Sequence, residues 1–258
     1  MFRKLVQHLR FLTIHQWQKI DEEYRRDTGF NGQIAIVLVV IALSLLLQRY
    51  FGSGKFFAES TVLAHELSQL PYPTLYPRLY WALFKTISYF LLPALTIKLI
   101  LRGKIRDYGF RFSNEGRIAL LYVAMIVVTI LLAYVASFLP EFLRTYPKYK
   151  QAGDSSVQFW LWEIAYGYQF MLLEFFFRGF ILFALARHFG AMSIFVMIVP
   201  YSMIHYSKPV LETLGSMAGG VALGTLALRT RSIFGGVLAH CMVGWSMDIF
   251  ALIRKGQF

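Results

Sequence analysis

Apolar runs about as long as a bilayer is thick recur along this chain, and few folds other than a membrane bundle can accommodate them. Seven such runs are Ile34–Leu47 with an extension to Phe51, Leu79–Leu101, Ile118–Leu139, Phe159–Ala186, Met192–Ile204, Leu214–Leu228 and Ile233–Ile253. Only the Phe159–Ala186 run is clearly longer than a span needs, and the Leu214–Leu228 run is short and rich in glycine. The fold class read from this pattern is all-α, a polytopic transmembrane helix bundle of about seven spans, with six to eight as the range. Hydrophobic residues fill 57% of the 258 positions and charged residues 16%, where soluble domains carry about a quarter charged.

The net charge of +12 raises nucleic-acid binding as an alternative. The basic residues do not form one stripe. They gather in the short segments between apolar runs, as the positive-inside rule expects, so no nucleic-acid partner is read from them. The strongly basic "RGKIRDYGFRFSNEGR" (Arg102–Arg117) and the basic N-terminus are expected on the cytoplasmic face. Arg187, His188, Arg229 and Arg231 fall on that face under seven spans, and Arg254 and Lys255 fall on the other. Residues 52–78 and 140–156, rich in Pro and Tyr, read as outer loops. The localisation expected is an integral membrane protein of the bacterial inner membrane.

Residues 1–31 read as a basic amphipathic segment. Phe2, Leu5, Val6, Leu9, Leu12 and Trp17 fall at helical spacing, with Arg3, Lys4, Arg10 and Lys19 between them. Such a helix lies in the membrane interface; the alternative is a frayed tail. The roughly thirty mostly polar residues ahead of the first run are too long and too acidic for a signal-peptide n-region. Residues 32–156 then hold the N-terminal transmembrane helices, and 157–258 the part where the chemistry-bearing residues collect. The lone Cys241 leaves no intramolecular disulfide and no cysteine-based zinc cluster.

Ionisable side chains inside a span are costly and face a bundle interior or a wet cavity, usually in pairs. "MLLEFFFRGF" (Met171–Phe180) places Glu174 and Arg178 one turn apart on one face. Alone, they could be an ion pair that fixes helix packing. His205, at the end of the fifth run, and His240, in the last, widen the reading. A Glu and two His on three helices could activate water and stabilise an oxyanion. They could also hold a divalent metal such as zinc as a His/His/Glu set. Cofactors are therefore none or one divalent metal, and the spacing does not show that the three converge. Lys85 and Lys98 sit near the ends of their run, where they can snorkel, and Pro93 is placed to kink it.

"EFFFRGF", a His after an apolar run and "LALRTRSIFGGVLAH" resemble the CPBP family of intramembrane proteases, which includes the CAAX prenyl endopeptidases and the bacterial Abi proteins. The resemblance covers about residues 160–250. The family motifs are Glu-Glu-x-x-x-Arg, Phe-x-x-x-His and His-x-x-x-Asn. Arg178 matches the motif arginine, Glu174 the second glutamate, His205 and His240 the two histidines. Leu173 stands at the first glutamate, Tyr201 at the phenylalanine and Gly244 at the asparagine.

The resemblance implies a helical bundle with a polar cavity opening toward the cytosol and a hydrolytic site of Glu174, Arg178, His205 and His240. Asp248, one turn past Gly244, is a possible auxiliary. Glu163 and Glu212 are read as loop or interface charges. Lys208 is read as meeting lipid phosphate, the Phe175–Phe177 run as lipid- or core-facing bulk, and Gly215, Gly219, Gly220 and Gly224 as sites of close helix packing.

The function expected is an intramembrane endopeptidase that hydrolyses membrane-proximal peptide bonds of a membrane protein or peptide, with Glu174 activating water directly or through a metal, and His205 and His240 positioning the water and stabilising the oxyanion. Leu173 and Gly244 weigh against full activity. They motivate the alternative of a catalytically inactive relative that binds membrane peptides or partners. A transporter rests only on the intramembrane Glu, Arg and His and lacks a visible inverted repeat.

Overall fold

The computed structural model describes residues 14–24, 32–60, 62–112 and 116–257. Among them the regular structure is helical throughout, with no strand. The helices are α1 (Ile14–Tyr24), α2 (Gly32–Tyr50), α3 (Gly54–Ser60), α4 (Val62–Ser68), α5 (Tyr76–Ile100), α6 (Gly116–Ala136), α7 (Pro140–Thr145), α8 (Ser156–Phe189), α9 (Met192–Met203), α10 (Val210–Thr230) and α11 (Phe234–Arg254). Six of these, α2, α5, α6, α8, α10 and α11, are long and apolar enough to cross a bilayer, and α9 is a shorter apolar helix. The protein is an integral membrane helix bundle of about seven spans.

α8 is the axis of the bundle. In its apolar window 89% of residues are buried, against 39% at most in the other five spans. It packs on α5, α11, α9 and α10, while α6 covers the outer side of α11. α6 has apolar residues on every side and leaves Leu120, Val123, Val127, Leu131 and Val135 exposed. A helix apolar all round with half its surface uncovered is suited to lipid.

One end of the bundle gathers the α2–α5 connection, the 140–155 segment and the chain after α11. Trp81 stacks on Trp162, with ring centroids 6.3 Å apart, and Lys255 donates to the Tyr146 carbonyl at 2.8 Å. Residues 52–78, read as a loop, contain the short helices α3 and α4. The other end holds the basic Arg102–Arg111 stretch and α1. Of the N-terminal amphipathic segment only 14–24 is described, and the apolar positions Phe2 to Leu12 lie outside the described residues. α1 docks on the bundle. Ile20 is fully buried, Trp17 Nε1 donates to Thr225 Oγ1 at 3.2 Å, and Asp21 accepts the Ala191 N–H at 2.7 Å.

Proline shapes two helices. Pro93 has no N–H and crowds the carbonyl four residues back. α5 absorbs it with widened π-type turns on both sides, where Leu92 N–H reaches the Ile87 carbonyl and Leu101 N–H the Thr96 carbonyl. Pro209 starts α10, with φ −52° and the helix running from Val210. α9 has 12 residues, about 18 Å at the usual rise, short of the roughly 30 Å hydrocarbon core. Residues 204–209 are therefore irregular backbone between α9 and α10, with His205 buried and Tyr206 exposed.

Candidate active site

Glu174 ends the first α-helical part of α8, Phe175–Ile181 continue as a π-type stretch containing Arg178, and α-helix resumes at Leu182. Such widened turns re-aim side chains and occur often at functional sites. Phe175, Phe176, Phe177 and Phe180 are fully buried around it, so the phenylalanine run is core rather than lipid-facing. Glu174 and Arg178 are 1% and 0% exposed, and Arg178 Nη1 lies 3.1 Å from Glu174 Oε1. The helical spacing read from the sequence therefore yields a real ion pair. It is not a two-pronged fork, because none of the three guanidinium nitrogens makes an aligned hydrogen bond among the described residues.

His240 completes the cluster from α11. Its Nδ1 lies 2.9 Å from the same Glu174 Oε1, and its side chain is 18% exposed against 1% for Glu174. The two groups are at hydrogen-bond distance but out of line, a common state of catalytic pairs without substrate. Gly236, one turn before His240, makes room. A Cβ there would sit 2.1 Å from Glu174 Oε2, so only glycine lets the carboxylate reach α11.

Tyr201 on α9 joins the three motif elements. Its hydroxyl is 3.0 Å from His240 Nε2. The Arg178 guanidinium lies 4.0 Å from its ring centroid, a cation–π contact in a desolvated place. Its carbonyl is 2.8 Å from His205 Nδ1. A carbonyl only accepts, so His205 carries its proton on Nδ1 and presents a bare Nε2. Sequence reasoning treated Tyr201 as a mere departure from Phe. The signal that could have flagged it is the hydroxyl itself, since a buried tyrosine hydroxyl needs a polar partner.

Glu174, Arg178, His205 and His240 are thus brought together, directly or through Tyr201. Asp248 is not. It accepts Trp162 Nε1–H and Lys148 N–H, each at 2.9 Å, two turns beyond His240 on α11. Gly244 cannot be replaced by a reaching side chain, because a Cβ would meet the Phe170 ring at 2.6 Å. That ring stacks on His240 with centroids 5.3 Å apart. Leu173 is 6% exposed within the main core cluster. Among the described residues, no three His, Cys, Asp or Glu side chains are grouped to hold a metal ion. With Glu174 Oε1 shared by Arg178 and His240, and His240 Nε2 met by the Tyr201 hydroxyl, this donor set does not fit a metal cage.

Several polar residues lie elsewhere than expected. Glu163 is no loop or interface charge. It is 4% exposed, its carboxyl faces Asp248, and neither oxygen has a hydrogen-bond partner among the described residues. Lys85 does not snorkel. It is 4% exposed, donates to Gln169 Oε1 and lies 4.2 Å from the Trp81 ring centroid. Lys208 pairs with Glu212 at 2.6 Å instead of reaching outward, and Glu212 also accepts the Tyr146 hydroxyl at 2.8 Å. Of the four glycines expected at close helix contacts, Gly220 and Gly224 face α9 at 3.3 Å, while Gly215 and Gly219 face open space.

Residues 155–246 match the family model described as type II CAAX prenyl endopeptidase Rce1-like. This segment is similar to the Rce1-like family. No curated protein and no solved structure matches the chain. The Rce1-like segment contains Glu174, Arg178, Tyr201, His205, His240 and Gly244, and ends before Asp248. It supports a protease-like function. Its geometry can hold a carboxylate against an imidazole and leave the outer imidazole nitrogen to exchange a proton.

Proposed function

We propose that this protein is an intramembrane endopeptidase that hydrolyses membrane-proximal peptide bonds of membrane proteins or peptides. The observation that carries this reading is the 2.9 Å approach of His240 Nδ1 to Glu174 Oε1 inside an Rce1-like segment. An ionised Glu174 takes the Nδ1–H side of the imidazole, so Nε2, which the Tyr201 hydroxyl meets at rest, serves as a general base once that contact gives way to water. Arg178 keeps the carboxylate charged and in place. His240 takes a proton from water, the hydroxide attacks the peptide carbonyl, and the same imidazole returns the proton to the leaving amine. His205, with Nδ1–H committed to the Tyr201 carbonyl, offers Nε2 to orient the water. No step requires a Ser or Cys nucleophile.

The basic end of the bundle, with Arg102, Lys104, Arg106, Arg111, Arg187, Arg229 and Arg231, is assigned to the cytoplasmic face on the positive-inside rule. With α1 docked at that end, our reading is an N-terminus on the cytoplasmic side, in the bacterial inner membrane.

The test is a survey of membrane-protein N-termini in the native host, wild type against Glu174→Gln at matched abundance. N-termini lost in the variant support proteolysis and name substrates; identical surveys overturn it. A second reading, a catalytically silent relative that binds membrane peptides, is favoured by one observation. The positions of two motif residues are filled with apolar packing, Leu173 in the core and Phe170 against Gly244. Recovery of a bound partner unchanged by His240→Ala is the outcome that selects it.

A further inference from the structure

The endopeptidase reading leaves one role without a holder. A tetrahedral intermediate carries a negative oxygen, and a preorganised donor facing that oxygen is usually a large part of catalysis. The motif asparagine is absent, and the space at Gly244 is closed by Phe170, whose ring would lie 2.6 Å from any Cβ there. Yet this chain carries a hydroxyl where the motif has phenylalanine. Tyr201 brings that hydroxyl within 3.0 Å of His240 Nε2, the nitrogen at which the water is deprotonated.

Three contacts fix the hydroxyl in place. The Tyr201 ring is edge-on to Phe177, with centroids 5.1 Å apart. It lies against His205, with centroids 4.7 Å apart. The Arg178 guanidinium sits 4.0 Å from its centroid and draws electron density from the phenol, making the O–H a stronger donor. The side chain is 3% exposed, so little water competes for it. A phenol so held needs no reorganisation when charge develops beside it.

We infer that Tyr201 is a further catalytic residue, whose hydroxyl donates a hydrogen bond to the tetrahedral oxyanion in place of the motif asparagine. This inference rests on the endopeptidase reading. In the resting site the Tyr201 O–H caps the Nε2 lone pair of His240. When water takes that lone pair, the hydroxyl turns to the substrate carbonyl oxygen. The water oxygen bonds to the carbonyl carbon, its proton moves to Nε2, and the C=O π pair moves onto oxygen, where Tyr201 O–H meets it. Collapse restores the C=O bond, breaks the C–N bond and returns the Nε2 proton to the amine. Tyr201 keeps its own proton throughout, so the step consumes one water and needs no other reactant.

The experiment uses the full chain in proteoliposomes and a quenched-fluorescent peptide spanning the bond whose cleavage depends most on Glu174 in the N-terminus survey. Tyr201→Phe removes one oxygen and restores the motif residue. The expected result is a fall in kcat of about a hundred- to a thousand-fold, with KM within about twofold and an unchanged melting temperature. A kcat within threefold of wild type, or a change confined to KM, overturns the inference and leaves the endopeptidase reading standing. Absence of Glu174-dependent cleavage by the wild type overturns both. Should Tyr201→Phe fail to fold, 3-fluorotyrosine at position 201 keeps ring and hydroxyl but makes the donor more acidic; a kcat equal to wild type then overturns the inference.

Discussion

Gly236 faces the carboxylate of Glu174 so closely that a methyl group at 236 would lie 2.1 Å from Oε2. The carboxylate is the free end of a side chain and could ordinarily swing away. Here its other oxygen is held by Arg178 at 3.1 Å and His240 at 2.9 Å, so relief at one side breaks contacts at the other. Gly236→Ala is expected to destabilise the bundle by about 1–3 kcal/mol, the usual cost of overpacking. It should also abolish Glu174-dependent cleavage. Thermal unfolding in micelles together with the N-terminus survey checks both, and an unperturbed variant refutes the close fit.

Arg178 and Glu174 form a pair whose halves are costly apart. Removing one partner of a buried pair leaves an uncompensated charge and costs about 3–5 kcal/mol. Arg178→Met should show this loss. Arg178→Met combined with Glu174→Leu should recover much of it, because no charge is then stranded. A double variant no more stable than the single one contradicts the pairing.

Glu163 faces Asp248 with both its oxygens unpartnered among the described residues, while Asp248 is already served by Trp162 and Lys148. Glu163→Gln supplies an N–H donor toward Asp248 at nearly constant volume. The expected gain is about 1 kcal/mol, the net value of one hydrogen bond. A lowered melting temperature is the result that sinks this account.

Lys148 lies in the segment between α7 and α8, and burial together with nearby Lys208 pushes its amine down to about 8, from the usual lysine value of about 10.4. Below that pH it is protonated and unreactive; above it the free amine reacts while ordinary lysines remain charged. Acylation read by mass spectrometry should be half-maximal near pH 8 at Lys148. Lys208→Ala should move that midpoint upward, since a repelling charge is removed. A midpoint shared with exposed lysines contradicts the prediction.

The helical class and the Glu174–Arg178 pair were legible because each depends on local pattern. Apolar length marks a span, and four-residue spacing puts two side chains on one face. His240 was identifiable only as a motif position, since nothing in the spacing shows that α11 lies against Glu174. Lys85 and Glu163 were misread for a common reason. Hydropathy assigns a charge near the end of an apolar run to the interface, but Lys85 meets Gln169 and Glu163 is enclosed beside Asp248, both distant in sequence. Tyr201 shows the converse limit: motif matching registered its departure from Phe, and the His240 contact that gives the hydroxyl meaning exists only in three dimensions.

The arrangement along α8 bears on the membrane as an electrical barrier. Its buried polar residues are Gln158, Glu163, Gln169, Glu174 and Arg178, and from Gly179 to Ala186 its buried face is apolar. Beyond Arg178 the helix packs phenylalanine and leucine side chains, and no buried ionisable group of α8 continues toward the basic end of the bundle. A file of titratable groups open at both ends would short-circuit the ion gradient of any energised membrane. The bundle can therefore hold buried charge deep in the membrane and still insulate, because the ionisable groups of α8 stop at Arg178.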